Sequence, residues 1–137
     1  MDDATKIEMD RHTFFAGLML GLCARGRQAF PAEGADFHRA FLKTIEKVRN
    51  DAHVSLKSAR WIRMDPVFES VQEANEMLLE AEHDRLLAFL NPSLRVAQFK
   101  IGQDQARKEL ELLAPETAEW FVRLGEFFHE QLPASTA

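Results

Sequence analysis

The sequence predicts an all-α fold, a five-helix bundle of mostly long antiparallel helices joined by very short, proline-marked connections. Three observations carry that prediction. Apolar residues recur at the spacing of a helix over most of the chain. Asp65-Pro66, Asn91-Pro92 and Ala114-Pro115 each place proline where a helix can start, because its missing N–H costs nothing there. The residue before a proline avoids helical dihedrals, so each pair closes one helix and opens the next. Long helices with such short connectors pack antiparallel.

The first helix is expected over residues 10–25, stopping at Gly26, a residue suited to a C-terminal cap. Phe14, Phe15, Leu18, Met19, Leu20 and Leu22 surround it with apolar side chains, which predicts burial on every side or sharing with a partner. Gly17 and Gly21 lie one turn apart and leave a stripe that a second helix can approach closely. Asp36 can cap a second helix over 37–63, with Phe37, Phe41, Ile45, Val48, Ala52, Ala59 and Ile62 on one side. A strand is its rival around His53, Val54, Ser55, Leu56 and Lys57, where apolar and polar residues alternate. The helical register is the longer pattern, so a helix is expected.

The third helix is expected from Pro66 to about Leu90, with Val71, Leu78 and Phe89 inward. The fourth, 92–113, follows a seven-residue rhythm through Val96, Phe99, Gln103, Ala106, Leu110 and Leu113. The fifth, 115–132, presents Phe121, Leu124, Phe128 and Leu132, and the tail from about 133 is expected to fray. If strand occurs anywhere, residues 53–63 and 94–101 are the first places to expect it.

A length of 137 residues fits a single domain, 1–137, long enough to bury about two-thirds of its unfolded surface. The 46% apolar and 28% charged fractions are those of a globular protein. Eleven Phe and no Tyr mark the aromatic content as core filling, because Phe has no polar tip. The net charge of −5 is spread along the chain without a basic stripe, which argues against nucleic-acid binding. Cys23 is the single cysteine and reads as a small buried hydrophobe. The longest uncharged run, Thr13 to Ala24, is too short to span a membrane. Asp2, Asp3, Glu8 and Asp10 precede it where a signal peptide would be basic, so a cytoplasmic location is expected.

No Walker A loop, no Gly-x-Gly-x-x-Gly, no nucleophile elbow and no His-Glu-x-x-His helix occurs. Glu-x-x-His occurs twice, Glu80 to His83 and Glu126 to His129, the spacing that builds di-iron centres in helical bundles. On the expected helices both pairs point away from the apolar face, as does Glu46. No metal, no cofactor and no catalytic residue is therefore expected.

Glu69, Glu73, Glu76 and Glu80 share one stripe of the third helix. It is either a solvated face or an electrostatic docking face for a basic partner. Asn75, Glu82 and Arg85 lie on or beside the apolar face of the same helix. They read as stems packed at the core edge, with an interior ligand pocket as the rival.

Arg49-Asn50-Asp51-Ala52-His53 resembles the Arg-Asn…His signature of HEPN-type ribonucleases, small all-helical dimeric domains. The resemblance implies RNA cleavage by Arg49 and His53. The gap between them is shorter here than in that family.

Apolar residues also fall where solvent is expected: Val54 and Trp61 on the second helix, and Leu94, Ala97, Ile101 and Leu112 opposite the main stripe of the fourth. Such a two-sided helix is central in the bundle or half of an interface, and Trp favours interface centres. The expectation is a non-enzymatic helical interaction module, homodimeric or bound to a protein partner through Val54, Trp61, Leu94 and Ile101. An HEPN-like ribonuclease and a bundle with an interior ligand pocket are the alternatives.

Overall fold

The computed structural model describes residues 7–31, 35–51, 54–56, 64–65, 70–89 and 96–132. In chain order their elements are β1 (Ile7–Met9), α1 (Arg11–Ala24), β2 (Ala29–Pro31), α2 (Ala35–Arg49), β3 (Val54–Leu56) and β4 (Met64–Asp65). There follow β5 (Ser70–Val71), α3 (Gln72–His83), β6 (Leu87–Phe89), β7 (Val96–Phe99), α4 (Gln103–Glu111) and α5 (Pro115–Gln131). The protein is mostly helical with a small β component.

The first and last helices form where the sequence places them. Asp10, in extended backbone, accepts the Thr13 N–H at 2.7 Å and so caps the start of α1. Phe14, Phe15, Leu18, Met19, Leu22 and Cys23 are all buried, so apolar character all round becomes burial all round. α1 is the central element, packed against α3, α4 and α5. It ends before Gly26, whose φ of 112° suits glycine. α5 has Pro115 in its first turn and buries Phe121, Leu124 and Phe128, with Leu132 buried just beyond it.

The two helices meet through glycines. A Cβ on Gly21 would stand 2.3 Å from the Phe121 carbonyl oxygen, and one on Gly125 would stand 2.6 Å from the Gly21 carbonyl carbon. The stripe of Gly17 and Gly21 thus receives α5.

The expected pure bundle of long helices needs correction in its middle. The second helix does not run to 63: α2 stops at Arg49 and β3 follows at Val54. Local polar groups explain the stop. The Asn50 side chain donates to the Glu46 carbonyl, and Asp51 Oδ1 accepts the Val54 N–H, so short polar side chains compete with the helical ladder. The β-branched Val54 then pairs in parallel with Ile7 of β1. Ala52, Ala59 and Ile62, which extended the helical register, lie outside the described residues.

The third helix is shorter than the expected 66–90. It ends in a Schellman turn: Leu86 N–H donates to the Ala81 carbonyl and Arg85 N–H to that of Glu82, with Arg85 at φ 66°. The expected fourth helix splits into β7 and α4. Ala97 and Phe99 are buried while Gln98 is exposed, the period-2 pattern of a strand. β7 lies between β2 and β6, antiparallel to both, with Phe30 opposite Ala97 and Leu87 opposite Phe99. β4 and β5 form a further antiparallel pair. The starts proposed at Pro66 and Pro92 lie outside the described residues.

Phenylalanine fills the core. Phe37 of α2 stacks on Phe30 of β2 at 5.8 Å and meets Phe128 of α5 edge-on at 6.2 Å, while Phe30 also touches Phe99 of β7. One cluster therefore joins sheet and helices.

Candidate functional site

Of the residues proposed from sequence as partner-binding, Val54 and Ile101 are among the described residues. Val54 is 3% exposed, so it belongs to the protein's own core. Ile101 is half-buried against that core, and its carbonyl accepts a long contact from Cys23 Sγ at 3.5 Å. Trp61 and Leu94 lie outside the described residues. Among the described residues of the fourth helix's second stripe, Leu112 is the one fully outward, at 80% exposure.

The glutamate stripe has a basic partner inside the same chain. Arg11, at the start of α1, donates to Glu76 at 2.7 Å and to Glu80 at 3.2 Å, both across to α3. His12 adds Nε2 to Asp84 at 3.1 Å and Nδ1 to Glu80 at 3.8 Å. Glu80 Oε1 is buried and makes no hydrogen bond among the described residues. Half of the candidate electrostatic face thus fastens α1 to α3. Glu73 sits in the first turn of α3, and Glu69 lies outside the described residues.

In the first Glu-x-x-His pair Glu80 is bonded to Arg11 and His83 is exposed, while both members of the second pair are held by arginines. Glu126 accepts from Arg25 at 2.9 Å, and Arg27 donates to His129 Nδ1 at 3.0 Å. A guanidinium has no acceptor, so Nδ1 must be unprotonated. Burial first, and then the positive charges of Arg25 and Arg27, hold the His129 pKa below its ordinary value. Burial likewise lowers that of Arg27. Among the described residues, no group of three or more potential metal ligands is found. Arg49 ends α2 with an exposed side chain, and His53, its partner in the ribonuclease resemblance, lies outside the described residues. Glu82 and Arg85 are exposed at the end of α3, pointing into no interior pocket.

What the helices do assemble is an open groove of about 570 Å³ between the end of α1, α4 and α5. Ala24, Leu110, Ala118 and Val122 supply its apolar surface. Arg107 and Glu111 stand on the α4 side, one helical turn apart; Glu119 and Glu126 stand on the α5 side, with Arg25 paired to Glu126. Glu119 is paired to Arg123 at 3.1 Å, whereas Arg107 and Glu111 have no ion pair among the described residues. Val122 in the groove (43% exposed), and Leu112 (80%) and Leu113 (37%), which follow the groove-lining Glu111 in the chain, present large apolar side chains to solvent.

The turn between α4 and α5 explains why these leucines are outside. Leu112 and Leu113 N–H donate to the Glu109 and Leu110 carbonyls, tightening the end of α4, and Pro115 restarts a helix almost at once. Two consecutive leucines cannot both face the core from such a turn. That pairing is the sequence signal for this surface. Arg107, Glu111 and Val122 carry no comparable signal, because each reads as an ordinary position on a solvated face.

Comparison with protein-family models, with curated proteins and with solved structures finds no match for this chain. No helix among the described residues is long and apolar enough to cross a membrane.

Proposed function

We infer that this protein is a non-enzymatic interaction module that works by helix-face association, self-association included, and that the α4–α5 hairpin is its working surface. One observation carries the reading: Val122 is exposed in an open, partly apolar groove, and the exposed Leu112 and Leu113 directly follow its lining residue Glu111 in the chain. Scattered exposed apolar residues are ordinary, but exposed apolar residues in and next to a partly apolar groove with a charged border have the composition of an interface. The surface lies on rigid elements, because α5 is locked to α1 through Gly21 and Gly125. A partner would therefore meet a preformed face at little cost in ordering.

Sedimentation equilibrium of the full chain across micromolar concentrations tests the self-association. The expected result is a mass that rises towards twice that of one chain. A single-chain mass at every concentration into the high micromolar range removes self-association from the reading.

A further inference from the structure

The geometry points to a second copy of this chain as the occupant of the α4–α5 groove, docked about a twofold axis that sets Arg107 of each copy against Glu111 of the other. This rests on the self-association proposed above and adds its surface and register.

The argument begins with charge. Arg107 and Glu111 are four residues apart on α4, so they share a face and are separated by one turn. Both are exposed, both line the groove, and neither has an ion pair among the described residues. The other charges along the groove are already used, Arg25 with Glu126 and Glu119 with Arg123. Among the described residues Arg107 and Glu111 are thus a cation and an anion without an ion pair, and at this spacing they make the face complementary to itself when inverted. Two such helices laid antiparallel across a twofold axis exchange the pair twice, which is the rule of an isologous interface.

The apolar residues fit the same operation. Leu112 follows Glu111 directly and projects from the end of α4, while Val122 and the buried Leu110 lie along the groove near Arg107. Bringing Glu111 of one copy towards Arg107 of the other carries Leu112 towards the apolar groove of that second copy. Two symmetric insertions result, each bordered by a charge pair. A purely basic or purely acidic partner would satisfy only one of the two free charges.

The test is charge reversal and exchange in the full chain, read by sedimentation equilibrium, with circular dichroism checking the fold. All substituted side chains are exposed, so the helical signal should persist. Arg107→Glu alone places like charges across the axis and should weaken association at least about tenfold, as should Glu111→Arg alone. The double exchange, Arg107→Glu with Glu111→Arg, restores complementarity and should bring association back to within about threefold of the starting protein. Leu112→Asp should dissociate the dimer irrespective of charge.

A dimer indifferent to all four variants overturns this surface while the self-association proposal stands. Dissociation by each single reversal without recovery in the exchange overturns the twofold pairing. A starting protein that is monomeric throughout overturns both, and leaves the groove to a different protein.

Discussion

Arg85 adopts a φ of 66° to end α3, in the position of a Schellman turn where glycine or asparagine is usual. A Cβ in this region is disfavoured, so the sequence carries no visible stop signal there, and an expected helix over 66–90 results. Arg85→Gly should relieve the strain and, after the entropy glycine costs the folded state, raise stability by up to about 1 kcal/mol. Chemical denaturation would measure it; a loss of stability would mean that the Arg85 side chain contributes more than its backbone costs. His129 makes the second residue-scale prediction. Its folded pKa is held below the ordinary 6.5 by burial and by Arg25 and Arg27, so the unfolded chain binds the proton first as pH falls. Stability then declines from below about pH 6.5 and keeps falling until the folded pKa is passed. The buried His38 shifts in the same direction through burial, so part of the decline remains when His129 is removed. His129→Asn keeps an acceptor for Arg27 without titrating, and thermal melts between about pH 7 and pH 5 should show a flatter dependence than the starting protein. An unchanged slope would show that the His129 proton is not linked to folding.

At the scale of elements, α1 and α5 pack closely through glycines; Gly17 and Gly21 signal a close helical neighbour in the sequence without saying which helix it is. Gly21→Ala adds a methyl that must displace the backbone of α5, because its neighbour is the Phe121 carbonyl oxygen and not a movable side-chain tip. The better helix propensity of alanine does not offset that overlap, and a net loss of about 1–3 kcal/mol is expected. A stabilised Gly21→Ala protein in denaturant titration would show that α1 and α5 are farther apart. The helix ends read from explicit marks, Gly26 for α1 and Pro115 for α5, agree with the sequence reading to within a residue or two. Those set by side-chain bonds do not. Asn50 and Asp51 stop α2 through contacts that helical periodicity does not register. In β7, four residues of alternation were outweighed by a longer seven-residue rhythm through Val96, Phe99, Gln103, Ala106 and Leu110. Ala106 and Leu110 do line the inner face of α4, but Val96 and Phe99 belong to a strand. The two stretches named as first places for strand both hold one.

For the molecule as a whole, the sequence points to surplus apolar surface, of which Val54 and Ala97 prove buried in the protein's own core. A helical wheel sets Val54 outward but does not apply to a strand, whereas Leu112, which the same wheels set outward, is exposed. The glutamate stripe attracts a basic partner as its charge requires, and Arg11 of the same chain is that partner for Glu76 and Glu80. The groove itself depends on which ends of α1, α4 and α5 meet, and no local pattern encodes that. Its role as a self-association surface is most directly tested by amide hydrogen exchange of the full chain, compared at dilute and concentrated conditions. Association through the α4–α5 hairpin predicts that concentration slows exchange across residues 107–123, leaving α2 and the β2–β7–β6 sheet unchanged. Slowing confined to α2 or to that sheet, or identical exchange at both concentrations, would contradict it.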